Sequence, residues 1–405
     1  MRVLILSQHF PPEVTASRFR VETFTRALIE EGHDVHVVCA VPNHPLGVID
    51  SAFRGRLIAR KRRGRLRVTY VWVSTKQTKS FLSRLANYAS YAFMSTLVGV
   101  LDERPDVVLA TSPPLPVGAA GVAVAARHRV PWVFDARDLW PKAAVVLGEL
   151  NGERAIQAAE LLERWLYSEA DLIVTVTEPF RHHIQSLAPP ETPVELLPNG
   201  TTQRWLEAGE GEPDREALGI PQDRFVLAYA GNLGLYHALD VAVEAAELLD
   251  DSFELLLIGH GPLRSQLERR AAELPPGRVR FAGLMAPEDA AKHLRAADAL
   301  LVSLHASLTD VLSSKLFDYC AIGRPVIVAA AGETRRVAEE ADAAYVVPPE
   351  SPAEIAGAVR ALRDDPDLRA RLAASGRHLA TEYLREHQAS RMISLLESAG
   401  RGVPD

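Results

Sequence analysis

Residues 1–40 read MRVLILSQHFPPEVTASRFRVETFTRALIEEGHDVHVVCA, and their pattern decides the architecture. Arg2–Ser7 is a short apolar run of strand length. Ser17–Glu31 has helical spacing, with Phe19, Phe24, Ala27 and Leu28 available to one face and Gly32 as its stop. Asp34–Val41 is a second apolar run. Strands that are apolar throughout belong to a parallel sheet covered on both faces, so the stretch predicts a strand–helix–strand unit of a doubly wound α/β domain.

The alternation continues outward. Strands are expected at Val68–Val73, Asp106–Thr111, Pro131–Asp135, Asp171–Val176 and Val194–Pro198. Helices are expected from about Ser80 to Leu101, and at Val117–Arg129 and Glu153–Glu169. A polar stretch at 206–223 reads as a linker. A second alternation then runs through Phe225–Tyr229, Phe253–Ile258, Val279–Ala282, Ala299–Leu304, Pro325–Ala329 and Tyr345–Val347. Pro366 to about Ala399 reads as helical and Arg-rich. The expected organisation is a first domain over 1–200, a second over 201–385, and a C-terminal helix over 386–405 returning toward the first.

The 405 residues, 47% hydrophobic and 24% charged, exclude a disordered chain, a coiled coil and a collagen. The net charge of -7 offers nothing global for nucleic acid. Cys39 and Cys320 are too few for a disulfide framework or a cysteine-built zinc site, and both read as buried thiols. The apolar run after Met1 is too short for a signal-peptide core. Leu85–Leu101 is uncharged but just short of a membrane span. The expectation is a cytoplasmic protein.

In doubly wound sheets ligands bind beyond the carboxyl ends of the strands. The loop after the first strand, Ser7–Glu13, has no Gly-x-Gly-x-x-Gly, and neither a P-loop nor a nucleophile elbow occurs, which disfavours dehydrogenases, NTPases and α/β-hydrolases. In the second half, Gly231, Asn232 and Gly234 follow one strand, and Gly259 and Gly261 follow the next. Small residues at adjacent strand ends admit a ligand to the backbone, and a helix N-terminus receives anionic oxygens; an ordinary strand-to-helix turn is the other reading. Asp310 to Asp318 reads DVLSSKLFD. Ser313 or Ser314 caps a helix, which puts Lys315 in its first turn against the macrodipole and Asp318 one turn later. A cation for phosphate beside a carboxylate for hydroxyls suits a nucleotide-sugar; a solvated Lys–Asp pair stands as the alternative. Asp365-Pro366-Asp367 is read as a helix cap rather than a metal motif.

With these marks the chain resembles the family 4 nucleotide-sugar glycosyltransferases of the GT-B fold, and in particular the bacterial fucosamine-transferase-like branch that makes surface polysaccharides. The residues that carry the resemblance are Ser7–Glu13, Gly32–Val35, Pro42–Gly47, Arg137–Pro141, Pro198–Gly200, Tyr229–Gly234 and Ser314–Tyr319. The resemblance implies two Rossmann-like domains facing across a cleft and a retaining, metal-independent transfer of hexosyl type. No cofactor is implied; the nucleotide-sugar, with UDP favoured, is a co-substrate. Asp318 would bind ribose hydroxyls, Asp310 hydroxyls of the transferred sugar, and Lys315, followed by Leu316, the diphosphate. Aspartate stands at both acidic positions where glutamate is usual, which shortens the reach at each. Asn232 and His237 stand near the positions where many relatives carry an Arg and a Lys, which shifts diphosphate charge onto Lys315 and onto amides near Gly231 and Gly234. Gly259, Gly261 and Met285 would lie near base and ribose. Asp138 is expected at the reacting centre with Arg137 on a phosphate, the alternative being a structural Arg137–Asp138 pair.

The first domain is expected to bind a lipid-linked or saccharide acceptor through His9, Arg18 and Arg20, a solvated helix face being the other reading of the two arginines. Within 54–67, Arg54, Arg56, Arg60, Lys61, Arg62, Arg63, Arg65 and Arg67 form a dense cationic segment. On a net-acidic chain this suits anionic lipid headgroups and a peripheral place on the inner face of the cell membrane. Rival readings are a soluble transferase acting on a small metabolite and a nucleotide-sugar 2-epimerase of the same architecture.

Overall fold

The structure, a computed structural model, describes residues 1–13, 16–43, 48–76, 81–146, 150, 152–211 and 213–401. Residues 44–47 of the Pro42–Gly47 motif lie outside that set. The chain divides into two compact units, Met1–Pro198 with Gln388–Asp405, and Asn199–His387.

The first unit is built on an eight-stranded sheet. Its strands are β1 (Arg2–Ser7), β2 (Asp34–Ala40), β3 (Ile58–Arg63), β4 (Leu66–Val71), β5 (Val107–Ser112), β6 (Trp132–Ala136), β7 (Leu172–Thr175) and β8 (Val194–Leu196). They lie in the order β3-β4-β2-β1-β5-β6-β7-β8, with only β3 antiparallel to its neighbour. The central strands are buried along nearly their whole length, as a sheet covered on both faces requires. The order reverses between β1 and β5, which places a switch point beside Ser7 and Ser112. The last helix, Arg385–Arg401, supplies Ala389, Met392, Ile393 and Leu396 to this unit's core.

The second unit has six parallel strands in the order β11-β10-β9-β12-β13-β14. These are β9 (Phe225–Ala230), β10 (Phe253–Ile258), β11 (Val279–Gly283), β12 (Ala299–Ser303), β13 (Val326–Ala329) and β14 (Tyr345–Val347). Here the switch point falls between β9 and β12. Their pairing covers only Ala299 with Leu227 and Leu300 with Ala228, so the strands part toward their carboxyl ends. Two apolar clusters, one on each face of the sheet, hold the helices against it. Asp365 caps the helix Pro366–Glu382 by accepting from the Leu368 amide at 2.9 Å, the capping role read from the sequence.

Candidate active site

Where the carboxyl ends of β9 and β12 part, a side chain takes the place of the missing strand partner. Tyr319, on the helix Ser314–Ile322, accepts from the Ala230 N–H at 2.8 Å and donates to the Ala230 carbonyl at 2.9 Å. One hydroxyl therefore satisfies both backbone groups of the last residue of β9, where β12 has moved out of reach. Tyr319 is 2% exposed, so the bond locks this helix to the strand end. Ser313 stands at the N-cap position without a side-chain capping bond. Lys315 consequently sits in the first turn.

Lys315 lies over the loop after β9. A Cβ added to Gly231 would fall 2.6 Å from Lys315 Cε and 3.2 Å from Tyr229 Oη, and Gly231 has φ +149. Any side chain there would dislodge the lysine. Gly259 approaches as closely from the other side: its absent Cβ would lie 1.9 Å from the Gly231 carbonyl oxygen. Lys315 Nζ is 5.5 Å from the Tyr229 ring, and Tyr229 Oη donates to the Asn232 carbonyl at 2.8 Å. The amides of Gly231 and Leu233 bond to the carbonyls of Ile258 and His260, at 2.9 and 3.1 Å. Both are thus occupied in joining the two loops, whereas Lys315 and the first turn of its helix stand beside them.

The electrostatics single out this corner. Burial lowers the Lys315 pKa, and the nearby Asp318 restores only part of the loss. Burial raises the Asp318 pKa, against the opposing effects of Arg385, Thr201 and Lys315. Thr201 Oγ1 donates to Asp318 Oδ1 at 2.8 Å. The fold thus disfavours both charges, a pattern typical of groups kept for a ligand. His237 lies near Lys315, its ring 5.6 Å from that of Tyr229. Burial and the Lys315 charge push its pKa down to about 4, and its buried Nδ1 has no hydrogen-bond partner. Asp310 occupies the loop before the helix, where Thr309 Oγ1 donates to it at 3.1 Å. The Glu333 amide bonds the Thr309 carbonyl at 2.8 Å and steadies that loop. Met285 is half-buried just past β11.

In the first unit the strand ends are held by a buried charge network. Asp135 accepts from Arg20 Nη2 at 3.1 Å, Arg20 Nε at 3.3 Å and Thr111 Oγ1 at 2.9 Å. Arg137 Nε donates to Thr111 Oγ1 at 2.9 Å and lies 3.5 Å from Asp135 Oδ2. Burial pulls the Arg137 pKa down to about 10. Asp138 is half-buried beside it and acts electrostatically on both Arg137 and Tyr167. His9 Nδ1 is 2.6 Å from Glu13 Oε2, whose other oxygen accepts from the Asn43 amide at 2.6 Å. Arg18 donates to Glu22 at 3.0 Å and covers the Phe19 ring. Among the described residues, no group of three or more His, Cys, Asp or Glu side chains is gathered where it could hold a metal.

A family model for a "Glycosyl transferase 4-like domain" matches residues 16–200, and one for "Glycosyl transferases group 1" matches residues 211–379. The chain belongs to the glycosyltransferases built from these two domains. It is 24% identical over 347 residues to the putative colanic acid biosynthesis glycosyl transferase WcaI of Escherichia coli K12, covering 82% of this chain and 84% of that protein. It is 27% identical over 313 residues to D-inositol 3-phosphate glycosyltransferase 1 of Catenulispora acidiphila, covering 71% and 72%. The crystal structure of Anabaena HepE in complex with UDP-glucose superposes with a TM-score of 0.69 at 16% identity, covering 98% of this chain and all of that one (100%). The fold is GT-B.

Of the donor residues expected from the sequence, this glycosyltransferase brings Gly231, Asn232, Gly234, Gly259 and Gly261 together in two adjoining loops. Lys315 packs on Gly231, Leu316 is fully buried behind it, and Asp318 follows one turn later. Arg20 is buried against Asp135 rather than displayed, and Arg137 is engaged with Thr111 and Asp135. Tyr229 and Tyr319 stood in motifs that carry the resemblance but were given no role in the site, and Thr201, which bonds Asp318, was not singled out by the sequence. The signal for Tyr319 was available in part, since it neighbours Asp318 on a helix already assigned to the site.

Proposed function

We propose that the enzyme transfers a sugar, with retention of configuration, from a nucleoside diphosphate sugar to a lipid-linked or saccharide acceptor in the making of a surface polysaccharide, with UDP as the favoured carrier. The observation that carries this reading is the Lys315–Asp318 pair at the switch point of the second unit. Burial disfavours both charges, and a diphosphate and a ribose diol would compensate them. The UDP-glucose complex of the similarly folded HepE supports the donor class, and the likeness to WcaI supports the polysaccharide.

In this reading Lys315 and the amide end of its helix meet the charge that grows on the departing diphosphate. Asp318 holds the ribose hydroxyls, and Asp310 the hydroxyls of the transferred sugar. The bond from the anomeric carbon to the diphosphate oxygen breaks as the acceptor oxygen bonds to the same face, and the acceptor proton passes to the leaving phosphate oxygen. Asp138 serves the acceptor side, oriented by the Arg137–Asp135–Arg20 network behind it. No metal takes part. The protein works on the cytoplasmic face of the membrane, held peripherally through residues 54–67.

A thermal-shift screen across nucleotide-sugars tests the donor, because a ligand at about 100 times its Kd stabilises the folded state by about 2.7 kcal/mol. A UDP-sugar should raise the Tm of the native enzyme and not that of Lys315→Ala; an equal rise in both would remove the assignment. The likeness to a D-inositol 3-phosphate glycosyltransferase favours a second reading, a small soluble acceptor. Charge reversal at Arg60, Lys61, Arg62 and Arg63 separates the two, since it spares transfer to a soluble metabolite and lowers transfer to a lipid-linked acceptor.

A further inference from the structure

The helix Phe81–Val100 buries one side in the first unit, where Tyr91, Met94, Ser95 and Val98 pack inward. Its outward side is apolar as well. Leu85, Ala89, Phe93 and Leu97, continued by Leu101 in the next turn, recur every four residues, so that each neighbours the next along a ridge inclined to the helix axis and centred on Phe93. Phe93 is 69% exposed and Leu101 77%. No charged residue occurs between Arg84 and Asp102. The ridge is about 24 Å long at 1.5 Å per residue, and among the described residues no helix is long and apolar enough to cross a membrane. A solvated helix normally turns polar residues outward; this one does not.

The register of the sheet edge puts cations on the same side. In β3, Arg60 pairs with Thr69 and Arg62 with Arg67 of β4, and directly opposed residues share a face. Thr69 bonds His36 at 2.8 Å. His36 and Arg67 both bond Asp102, the residue after Leu101 that closes the helix. Arg60 and Arg62 therefore project from the sheet face that the helix covers, on the edge strand, and both are exposed.

We propose that this helix face and the β3 edge form one membrane-docking surface. The ridge from Leu85 to Leu101 enters the acyl boundary of an anionic bilayer lying parallel to it, and Arg60 and Arg62 meet headgroup phosphates. The proposal rests on the membrane-linked acceptor reading and gives it a surface. Charge decides the occupant. A second copy of the chain on a two-fold axis would set these arginines against their own counterparts, whereas an anionic bilayer complements them.

The test uses the full chain with vesicles of phosphatidylcholine, alone or mixed with phosphatidylglycerol. Cys39 and Cys320 are fully buried, so Phe93→Cys accepts an environment-sensitive fluorophore selectively. Expected are sedimentation with the anionic vesicles, a blue shift of the probe on binding, and an affinity falling about fivefold for each of Arg60→Ser and Arg62→Ser. The double variant Phe93→Ser with Leu97→Ser should lose at least tenfold in vesicle affinity at unchanged Tm. Equal binding to neutral and anionic vesicles, vesicle-bound protein without a probe shift, or a dimer in light scattering that Phe93→Ser dissolves would each overturn the proposal. The donor thermal shift, measured in solution on the same variants, reports on the transferase reading separately: it stays intact if docking alone fails.

Discussion

Lys315→Met separates a ligand-binding lysine from a structural one. Methionine keeps an unbranched stem over Gly231 and the Tyr229 ring but removes the ammonium. A hydrogen bond to a charged group is worth about 1.5–3 kcal/mol, so loss of the diphosphate contact should raise the donor KM about 10- to 150-fold. Stability should move the other way. The folded state lowers the Lys315 pKa through burial, so the protonated lysine weakens folding at neutral pH, a cost that would fade only as alkaline pH discharged it. The unliganded variant should therefore melt at or above the native Tm. The assay pairs donor-saturation kinetics, or UDP binding by calorimetry, with a melt of the unliganded protein. A Tm lowered by several degrees with an unchanged donor KM would refute the argument, because it would make Lys315 a partner of Asp318 within the fold and nothing more.

Tyr319→Phe strands the Ala230 N–H and carbonyl together and should cost about 2–6 kcal/mol, at 1–3 kcal/mol per unsatisfied buried group, with a weaker donor affinity as the helix loosens; chemical denaturation and donor titration check both. Arg20→Ala leaves Asp135 buried without its guanidinium and should cost about 3–5 kcal/mol, read as a large fall in Tm rather than a rise in acceptor KM. His237 is held neutral, with its pKa lowered to about 4, so the stability it contributes is complete above its ordinary value near 6.5 and is lost as the pH falls toward 4; His237→Gln should flatten that part of a Tm–pH profile. Asp138→Asn should cut turnover while the donor-induced thermal shift persists, and unchanged turnover would remove Asp138 from the acceptor side.

The parallel strands were legible because burial on both faces demands unbroken apolar runs such as Val3–Leu6 and Leu255–Ile258. β3 was not, since an edge strand with one open side can carry Arg60, Lys61, Arg62 and Arg63 in succession and shows no apolar period. The expected single helical stretch from Pro366 to Ala399 breaks after Glu382, where Leu384 bridges to Thr201; no proline or glycine marks the spot. In the candidate site, the first-turn lysine and the carboxylate one turn on follow from local helix geometry alone. The Tyr319–Ala230 clamp joins residues 89 apart and the Arg20–Asp135 pair residues 115 apart, and contacts at such separations leave no periodic trace.

The closing helix, Arg385–Arg401, completes the core of the first unit, so a fragment ending at Pro198 would lack Ala389, Met392, Ile393 and Leu396, expose the core they cover to water and should aggregate when expressed alone. Gly400 sits beside the Met1 thioether, 3.7 Å from where its Cβ would be. Met1 and Gly400 thus lie side by side, and a circular permutant that links the end of this helix to Met1 through a short glycine linker and opens near Gln388 would make the first unit a contiguous gene product, able to be produced and titrated without the second.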